Sequence, residues 1–282
     1  MNRKLLEILI CLKCKTRLDF IEGRLVCSRC GKVYSIQEGI PYFIEIHDLK
    51  PATSGDLMFK IKLIFKRYPA VFDILSYLFG ALFVGKSVKK FTEHMSEQGI
   101  ILNLGSGTKL IRKDVINVDF YPFPNVNLIA NISNLPFADN SVDAIICEWV
   151  LEHIKNPEMI IKEMKRILRP GGKIYVSVPF MEGFHSSPGD YHRWSKQGVK
   201  ELLKDFKEIE IGEKSGPTSA FVSVFTEWLA TLFSFNLMWL YQVLLILLMI
   251  ITFPLKFLDY LISRFSSSQN IAFGFYFIGE KK

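Results

Sequence analysis

The chain has 282 residues, about twice the length of a typical domain, and 49% of them are hydrophobic while 22% are charged. This composition excludes a disordered chain, and the mean hydropathy of +0.22 exceeds what a soluble domain of this size needs. The net charge of +7 is local, because residues 1–67 hold 13 Lys and Arg against 7 Asp and Glu, whereas residues 68–216 hold 18 of each. This distribution argues against a surface that coats nucleic acid and favours an anionic partner for the N-terminal part.

Four of the five cysteines form two Cys-x-x-Cys pairs, Cys11 with Cys14 and Cys27 with Cys30. Four thiolates at this spacing can complete a tetrahedral site, so we predict a structural Zn²⁺ in a ribbon of short hairpins. Two disulfides are the alternative, and they would require an oxidising compartment that no other feature indicates. The N-terminus is too short and too charged for a signal peptide, so we expect a cytoplasmic chain.

Two segments flank these cysteine pairs, Leu5–Cys11 and Tyr34–Pro41. With them, residues 5–44 resemble the small zinc-ribbon module that serves as activator subunit of RNA and protein methyltransferases and also occurs fused to methyltransferases. The resemblance implies that the ribbon, assigned to residues 1–50, supports a neighbouring catalytic domain and does no chemistry itself.

A linker follows the ribbon. Residues 57–67 mix basic and large apolar residues, and residues 68–85 carry a single charge, Asp73. We predict an amphipathic helical linker over residues 51–98. Two compatible interpretations stay open: its helices cap an active site, or its basic stretch lies on an anionic leaflet with the aromatic side chains among the headgroups.

An apolar strand at residues 100–104 leads into the glycine turn Gly105–Gly107, and a second strand at residues 115–119 ends in an acid. The glycines allow a tight turn and the close approach of a ligand, while a carboxylate there can bind both ribose hydroxyls. This pattern predicts a βαβ nucleotide site. Only fourteen residues separate Gly105 from Asp119, so the first crossover helix should span one or two turns, and a nicotinamide site is disfavoured.

A series of motifs follows in a fixed order: Leu-Pro-Phe at 135–137, a buried strand at 144–147, Leu-Glu-His at 151–153, a helix from about 157 to 168, an Arg-Pro-Gly-Gly turn at 169–172 and a strand at 173–178. Together with the glycine turn, this order over residues 100–206 resembles the class I S-adenosylmethionine-dependent methyltransferases of the type that includes quinone-biosynthesis C-methyltransferases. The resemblance implies an α/β fold with a Rossmann-like seven-stranded sheet, and S-adenosylmethionine as cofactor.

The resemblance also implies a cofactor-binding set at the strand ends. Its members are Asn103, Gly105, Ser106, Gly107, Asp119, Asn131, Ile132 and Glu148. The glycines would line the methionine end, Asp119 would hold the ribose, and Glu148 would border the methyl-transfer pocket. Asn131 and Ile132 would frame the adenine.

Three positions depart from the family's usual pattern. Asn103 replaces the first-strand acid, Lys109 the third glycine and Asn131 the adenine-side acid. The carbonyl of Asn still accepts a hydrogen bond, so Asn103 and Asn131 should weaken cofactor recognition without abolishing it. Lys109 is expected to face the cofactor carboxylate or to point into solvent.

The segment after the fifth predicted strand, residues 179–194, holds two His, two acids, an Arg and four aromatic residues. Substrate contacts of α/β enzymes concentrate at this edge. We predict that His185 is the general base for the acceptor and that Asp190, Tyr191 and Arg193 orient the substrate. The alternative is that Asp190 and Arg193 pair to fold the segment and that His185 is a surface residue.

No charged residue occurs over residues 228–255, which is long enough to cross a membrane. A helix break at Pro254 precedes Lys256, a cation that can snorkel. Because residues 206–212 and 271–278 are predicted as the sixth and seventh strands of one sheet, the chain between them crosses a membrane an even number of times or not at all.

We therefore predict a hydrophobic helical insertion over residues 217–268, as a re-entrant hairpin or a helix pair in the interface; a buried subdomain or an oligomer interface is the alternative. The catalytic core then comprises residues 99–216 and 269–282. The whole predicts a cytoplasm-facing, membrane-associated methyltransferase that contacts a membrane lipid surface and acts on a lipid, quinone or lipid-linked glycan. An RNA or protein methyltransferase with a soluble substrate, which the neutral core disfavours, and a non-catalytic scaffold are the alternatives.

Overall fold

The computed structural model describes residues 3–44, 68, 71, 74–75, 77, 80–185 and 189–282. The predicted basic stretch at residues 57–67 and part of the remaining linker lie outside the described residues. In the described end of the linker, Phe83 forms an antiparallel bridge with Ser215, and a short helix, Val88–Thr92, starts at the capping residue Ser87.

The N-terminal module combines a short helix with a three-stranded antiparallel sheet and a two-stranded ladder. Its elements are α1 (Arg3–Ile8), β1 (Leu18–Ile21), β2 (Arg24–Cys27), β3 (Val33–Tyr34), β4 (Ile36–Gln37) and β5 (Ile40–Pro41). Glu22 and Gly23 connect β1 to β2, and both have positive φ, as a two-residue type I′ turn requires. The alternating stretches around the cysteines are therefore the strands of a small ribbon.

Seven strands form the central sheet. They are β6 (Ile101–Leu104), β7 (Ile116–Asp119), β8 (Leu128–Ile129), β9 (Val142–Glu148), β10 (Leu168–Pro179), β11 (Phe206–Ser215) and β12 (Gly274–Lys281). Their order is β11-β12-β10-β9-β6-β7-β8, and neighbours are parallel except where β12 pairs with β10 and β11. From β6 the chain adds β7 and β8 on one side of the sheet and then returns to add β9 on the other side of β6. The boundary between β6 and β9 is therefore the switch point at which α/β folds bind ligands. The predicted Rossmann-like seven-stranded sheet is confirmed.

The helices with described bounds that accompany this sheet outside the insertion are α2 (Val88–Thr92), α3 (Pro157–Ile167) and α4 (Lys196–Leu202). α3 starts with Pro157 in its first turn, where the missing N–H costs nothing, and buries four apolar side chains at helical spacing. Residues 169–172, predicted as a turn before the strand, lie within the bounds of β10 but have no partners in β9. The pairing passes from Leu168 to Lys173 across this irregularity, where Gly171 has a φ of +73°.

No helix lies between β6 and β7 among the described residues, so the predicted one- or two-turn crossover helix is wrong. Residues 105–115, the whole connection, number eleven, fewer than the roughly dozen that a helical crossover needs. Two glycines with positive φ, Gly105 and Gly107, occupy its start and favour a turn instead.

The N-terminal module covers the edge of the sheet that β8 would otherwise expose. Leu9 forms an antiparallel bridge with Phe137, and Tyr42 forms a parallel bridge with Ile129. The Phe43 N–H donates to the Ile129 carbonyl at 2.8 Å. Leu9 and Phe137 have no exposed surface and belong to one continuous apolar cluster, so the ribbon and the sheet share a core.

Between β11 and β12 the chain leaves the sheet as a helical insertion. Its elements are α5 (Pro217–Phe233), α6 (Met238–Thr252), a 3-10 segment (Phe253–Leu258), α7 (Asp259–Ile262) and a second 3-10 segment (Ser268–Ile271). The break predicted at Pro254 is present. The expectation that Lys256 snorkels is wrong, because this buried side chain donates to the backbone carbonyls of Tyr77 and of Gly80, the latter at 2.9 Å.

The insertion exposes many large apolar side chains on both of its long helices. Trp228, Met238 and Ile251 are 57%, 67% and 71% exposed. The helical run Met238–Ile262 has 25 residues and a mean hydropathy of 2.2, and within the described residues it alone is long and apolar enough to cross a membrane.

Candidate functional site

The glycine turn lies at the carboxyl ends of β6 and β7. Gly105 has a φ of +65°, and a Cβ atom there would lie 2.5 Å from Cγ2 of Val150, so a larger residue would collide. Gly107 has a φ of +55°, but a Cβ atom there would meet no atom within 4 Å. The turn is therefore closely packed at Gly105 and open at Gly107.

Asp119 ends β7 and directs its carboxylate at this turn. The Gly107 N–H donates to Oδ2 at 2.7 Å and the Tyr121 N–H donates to Oδ1 at 3.0 Å. Asp119 and Ser106 are both buried. The structure thus brings the residues predicted for the methionine end and for the ribose to one place, and their contacts with a cofactor stay predictions.

Asn103 lies in a buried amide network rather than beside open space. Its Nδ2 donates to Asn117 Oδ1 at 3.0 Å, and Asn117 Nδ2 donates to the Asn125 carbonyl at 2.9 Å. Asn103 and Asn117 are 3% and 1% exposed. The pair joins β6 to β7 and holds the loop after β7. Asn117 could not be predicted from the sequence, because a single Asn inside an apolar strand forms no motif.

Asn131 and Ile132 follow β8 at the same edge. The Ala130 N–H donates to the Asp119 carbonyl at 3.0 Å, which places this segment beside the end of β7. Asn131 is exposed and its Oδ1 accepts from the Ser133 N–H at 2.9 Å, whereas Ile132 is buried. Their role at the adenine stays a prediction.

Glu148, the last residue of β9, is paired with two lysines. Its Oε2 pairs with Nζ of Lys109, and its Oε1 lies 2.7 Å from Nζ of the buried Lys214, which also donates to the Tyr175 hydroxyl at 2.9 Å. Burial disfavours the Glu148 carboxylate, but the two ammonium groups outweigh burial and hold the pKa of Glu148 below its usual value. Lys109, expected to face the cofactor carboxylate or to point into solvent, is half exposed and pairs with Glu148, and its contact with a cofactor stays a prediction. The role of Lys214 could not be predicted from the sequence, because a lysine in a strand usually points into solvent.

Aromatic side chains stand next to this charge cluster. The Phe83 ring lies 4.8 Å from Nζ of Lys214 and 6.2 Å from the Trp149 ring, and the Trp149 ring meets that of Phe273 at 5.9 Å. Trp149 has a φ of +55°, and its indole N–H has no acceptor among the described residues. A bulky residue in left-handed backbone costs about 1–3 kcal/mol and is typical of functional sites. Phe83 belongs to the linker, so the described end of the linker lies over this edge.

The segment after β10 is folded by an ion pair. Asp190 and Arg193 form two parallel contacts of 2.5 and 2.6 Å, and the His185 N–H donates to Asp190 Oδ2 at 2.8 Å. Arg193 holds the pKa of Asp190 below its usual value although burial opposes it. This pairing agrees with the alternative interpretation of Asp190 and Arg193. His185 is partly buried, with Nδ1 3.5 Å from Oε1 of Glu182, whereas Tyr191 is 49% exposed. The predicted substrate roles stay predictions.

Glu152, the middle residue of the Leu-Glu-His motif at 151–153, is a further acidic group at this edge that the sequence did not single out as a site residue. It is fully buried in the 3-10 turn Leu151–His153, and no described group donates a hydrogen bond to either carboxylate oxygen. Burial raises the pKa of Glu152 to about 8, and the carboxylates of Glu182 and Asp190 add to the shift.

The four N-terminal cysteines converge at one end of the ribbon. Cys11 Sγ lies 3.6 Å from Cys30 Sγ, and Cys14 Sγ lies 3.2 Å from Cys27 Sγ. These separations exceed a disulfide bond and are near the about 3.8 Å between sulfurs that share a tetrahedral Zn²⁺ with about 2.3 Å bonds. The donor set and its geometry fit a zinc ion.

Comparisons with known proteins give separate matches for the N-terminal module and for the central sheet. Residues 102–176 match the family described as a methyltransferase domain, and residues 2–39 match the Trm112p-like protein family. A demethylmenaquinone methyltransferase of Desulfitobacterium hafniense is 32% identical over 95 residues, 32% of this chain and 38% of that protein. One of Bacillus cereus is 28% identical over 131 residues, 45% of this chain and 55% of that protein. The chain thus spans between about a third and about half of these two relatives.

Solved structures show lower similarity. The complex between the Haloferax volcanii Trm112 methyltransferase activator and a methyltransferase is 15% identical, covers 81% of this chain and 99% of that chain, and gives a TM-score of 0.46. A Thermotoga maritima protein described as an SAM-dependent methyltransferase is 15% identical, covers 78% and 99%, and gives 0.46. The family matches confirm both resemblances stated from the sequence: residues 102–176 are similar to the methyltransferase domain family, and residues 2–39 are similar to the Trm112p-like family.

Proposed function

We propose that the protein is an S-adenosylmethionine-dependent methyltransferase. The observation that carries the proposal is the meeting of the glycine turn with the Asp119 carboxylate at the switch point of the sheet. When bound, S-adenosylmethionine supplies an electrophilic methyl group. The open turn at Gly107 would let the cofactor approach the backbone, and the Asp119 carboxylate, which now accepts from the N–H groups of Gly107 and Tyr121, would accept hydrogen bonds from the ribose hydroxyls.

The proposed acceptor is a small, largely apolar molecule such as a quinone. The curated relatives named above are demethylmenaquinone methyltransferases, which supports a quinone-like ring. Trp149 and Phe83 offer flat apolar surfaces next to Glu148, and the Trp149 indole N–H can donate to an acceptor oxygen. Alignment of the acceptor against these rings contributes most of the catalysis, because methyl transfer needs a close, in-line approach.

We further propose that the helical insertion brings the carboxyl edge of the sheet, with its proposed active site (the active edge), to a membrane. α5 begins two residues after β11 ends, so the apolar helices start beside Lys214 and Ser215 at the carboxyl edge of the sheet. Their exposed side chains include Trp228 and Ile251. An apolar surface of this kind favours insertion into the lipid interface, where a quinone resides. The proposed location of the protein is therefore the cytoplasmic face of a membrane.

The proposed role of the ribbon is to stabilise its own chain's methyltransferase domain around a structural Zn²⁺. The shared core of Leu9 and Phe137 and the bridge from Tyr42 to Ile129 support this role, because a ribbon used in this way has its partner surface already buried. The same contacts disfavour a ribbon that activates a separate methyltransferase.

Calorimetric titration with S-adenosylhomocysteine tests cofactor binding. We expect binding by the wild-type chain and at least about a tenfold loss of affinity in Asp119→Ala, equivalent to about 1.4 kcal/mol. Asp205→Ala is the matched control, because this exposed acid only pairs with Lys165 at 3.6 Å. Absence of binding by the wild type would support the scaffold alternative and reject the proposal.

A further inference from the structure

A second group of potential metal ligands lies at the carboxyl edge of the sheet. Glu152 and His153 belong to the 3-10 turn after β9, and His185 belongs to the segment after β10. β9 and β10 are parallel neighbours, so both segments leave the sheet at the same edge. One ligand atom from each of the three side chains lies within 4.8 Å of the others.

Glu152 directs an uncompensated carboxyl group into this cluster. It has no exposed surface, and neither oxygen accepts a hydrogen bond from a described group. Arg193, the nearby cation, already forms both of its parallel contacts with Asp190. A buried acid without a partner is costly, and a bound cation would remove that cost.

His153 is oriented as a ligand. Its Nδ1 lies 2.5 Å from the Gly189 carbonyl oxygen, and because a carbonyl can only accept, Nδ1 carries the proton. The lone pair is then on Nε2, which lies 3.9 Å from Oε1 of Glu152. Histidines that bind metals characteristically donate from the other ring nitrogen to a carbonyl or carboxylate, which fixes the tautomer.

His185 completes the group from the opposite segment. Its ring centroid lies 5.1 Å from that of His153, in an edge-on arrangement. The backbone N–H of His185 donates to Asp190, which Arg193 holds in turn, so the ion pair fixes the segment that carries the imidazole. The position of His185 is therefore set before any ion binds.

We propose that Glu152, His153 and His185 bind a divalent transition-metal ion such as Zn²⁺ or Mn²⁺, separate from the zinc of the ribbon. Two imidazoles with one carboxylate form the facial set of transition-metal sites that keep open positions. Ligand atoms about 2.1 Å from one ion lie about 3–3.5 Å apart, so the side chains converge by about 1 Å on binding.

An ion held by these residues would lie at the carboxyl edge of the sheet, where Glu148 ends β9. An acceptor with a hydroxyl or enol oxygen would bind there, and the ion would lower the pKa of that oxygen. This use of the ion rests on the proposed methyltransferase function. Metal binding itself does not.

Metal content measured by plasma mass spectrometry, after equilibration with Zn²⁺ and removal of the excess, tests the site. We expect two equivalents in the full chain and one in His153→Gln, His185→Gln and Glu152→Gln. His192→Gln is the matched control, because this histidine lies on the same segment with Nε2 3.2 Å from the Lys155 carbonyl and outside the cluster. It should keep two equivalents.

Cobalt substitution identifies which site each equivalent fills. The cysteine site should give intense thiolate-to-cobalt charge-transfer absorption, and the second equivalent should add ligand-field bands without it. One equivalent in the wild type, or unchanged content in the His153→Gln and His185→Gln variants, would overturn the proposal. If the metal proposal fails in this way, S-adenosylhomocysteine binding is measured on the same samples. Retained binding would show that the failure concerns the metal site and not the proposed methyltransferase function.

Discussion

Two glutamates four positions apart at the carboxyl edge of the sheet have opposite environments. Glu148 lies between Lys109 and Lys214, which lower its pKa, whereas no group in the described part of the chain donates a hydrogen bond to the buried Glu152 carboxyl group. The difference comes from their environments, since one carboxyl ends a strand beside two lysines and the other turns inward in a 3-10 segment. Neighbouring carboxyl groups with opposite pKa shifts are typical of functional sites.

The glycine turn gives a prediction at this scale. Gly105→Ala should destabilise the fold by about 1–3 kcal/mol and abolish S-adenosylhomocysteine binding, because it combines left-handed backbone with a clash against Val150. Gly107→Ala carries only the backbone cost, since its Cβ would meet open space. Urea denaturation of both variants measures the difference. Equal losses of stability would show that Val150 does not confine Gly105.

The lysine pair gives a second prediction. Lys214→Met should cost about 2–4 kcal/mol of unfolding free energy, because it leaves Glu148 buried with one cation instead of two. Lys200→Met is the matched control, since Lys200 and Glu208 form an exposed pair worth less than about 1 kcal/mol. Denaturation of both variants compares the two pairs, and an equal cost would contradict the importance of burial.

The same pair predicts a pH dependence. Because folding lowers the pKa of Glu148, its contribution to stability is present above the unfolded pKa of about 4.3 and is lost as the pH falls through the lower folded value. Glu148→Gln should therefore flatten the acid side of the stability profile. A profile that still falls as steeply as the wild type would contradict an ionised Glu148.

At the scale of elements, the Trm112p-like ribbon compensates for short connections in the sheet. The strands β6, β7 and β8 are joined by loops without helices among the described residues, and the ribbon packs against that end through Leu9 and Tyr42. A sheet edge that helical crossovers do not protect is thereby covered by the N-terminal part of the same chain.

This packing predicts one unfolding transition. Removing zinc with a chelator, or replacing Cys27 by Ser, should lower the melting temperature of the whole chain, because the ribbon and the sheet share Leu9 and Phe137. Leu9→Ala should cost about 2–5 kcal/mol, and Ile21→Ala, at a half-exposed position of the ribbon, should cost far less. Differential scanning calorimetry checks this. Two separate transitions would contradict a common core.

Much of the element order could be predicted from the sequence. The strand before Gly105, the strand ending at Asp119 and the helix from Pro157 all depend on local patterns, and they are present. The bulge at Gly171 and the missing crossover helix were not predictable in the same way, because propensity does not fix strand register or loop length. Lys256 shows the same limit, since only the fold reveals that the carbonyls of Tyr77 and Gly80 receive its ammonium.

The candidate site was predictable only in part, for a similar reason. Gly105, Gly107 and Asp119 stand in one motif series, whereas Lys214 comes from β11 and reaches Glu148 through the topology of the sheet. Pairing across 66 positions leaves no local signal in one sequence. The Asn103–Asn117 pair is another cross-strand contact of this kind.

At the scale of the whole molecule, the apolar surplus of the composition is concentrated on the surface of the insertion. Trp228, Met238 and Ile251 are more than half exposed on its helices, whereas the apolar side chains of the central strands are buried. The proposal of a membrane-facing enzyme explains this surface. It also explains why the insertion starts and ends next to the active edge, between β11 and β12.

Vesicle flotation tests the membrane contact. Wild-type protein should float with vesicles, and Trp228→Arg combined with Ile251→Arg should reduce the bound fraction at least about tenfold, since burying each charge in lipid costs about 2.5 kcal/mol or more. Phe20→Arg with Ile21→Arg is the control, because these exposed apolar residues belong to the ribbon. Equal flotation of both variants, or none by the wild type, would reject the insertion as the membrane contact.

The proposed methyl transfer to an apolar acceptor is tested most directly by incubating the full chain with methyl-labelled S-adenosylmethionine and a membrane lipid extract. The account predicts label in the organic phase with wild-type protein and with Asp205→Ala, and none above background with Asp119→Ala. Label that stays in the aqueous phase with the wild type, under conditions in which it binds S-adenosylhomocysteine, would contradict the apolar acceptor.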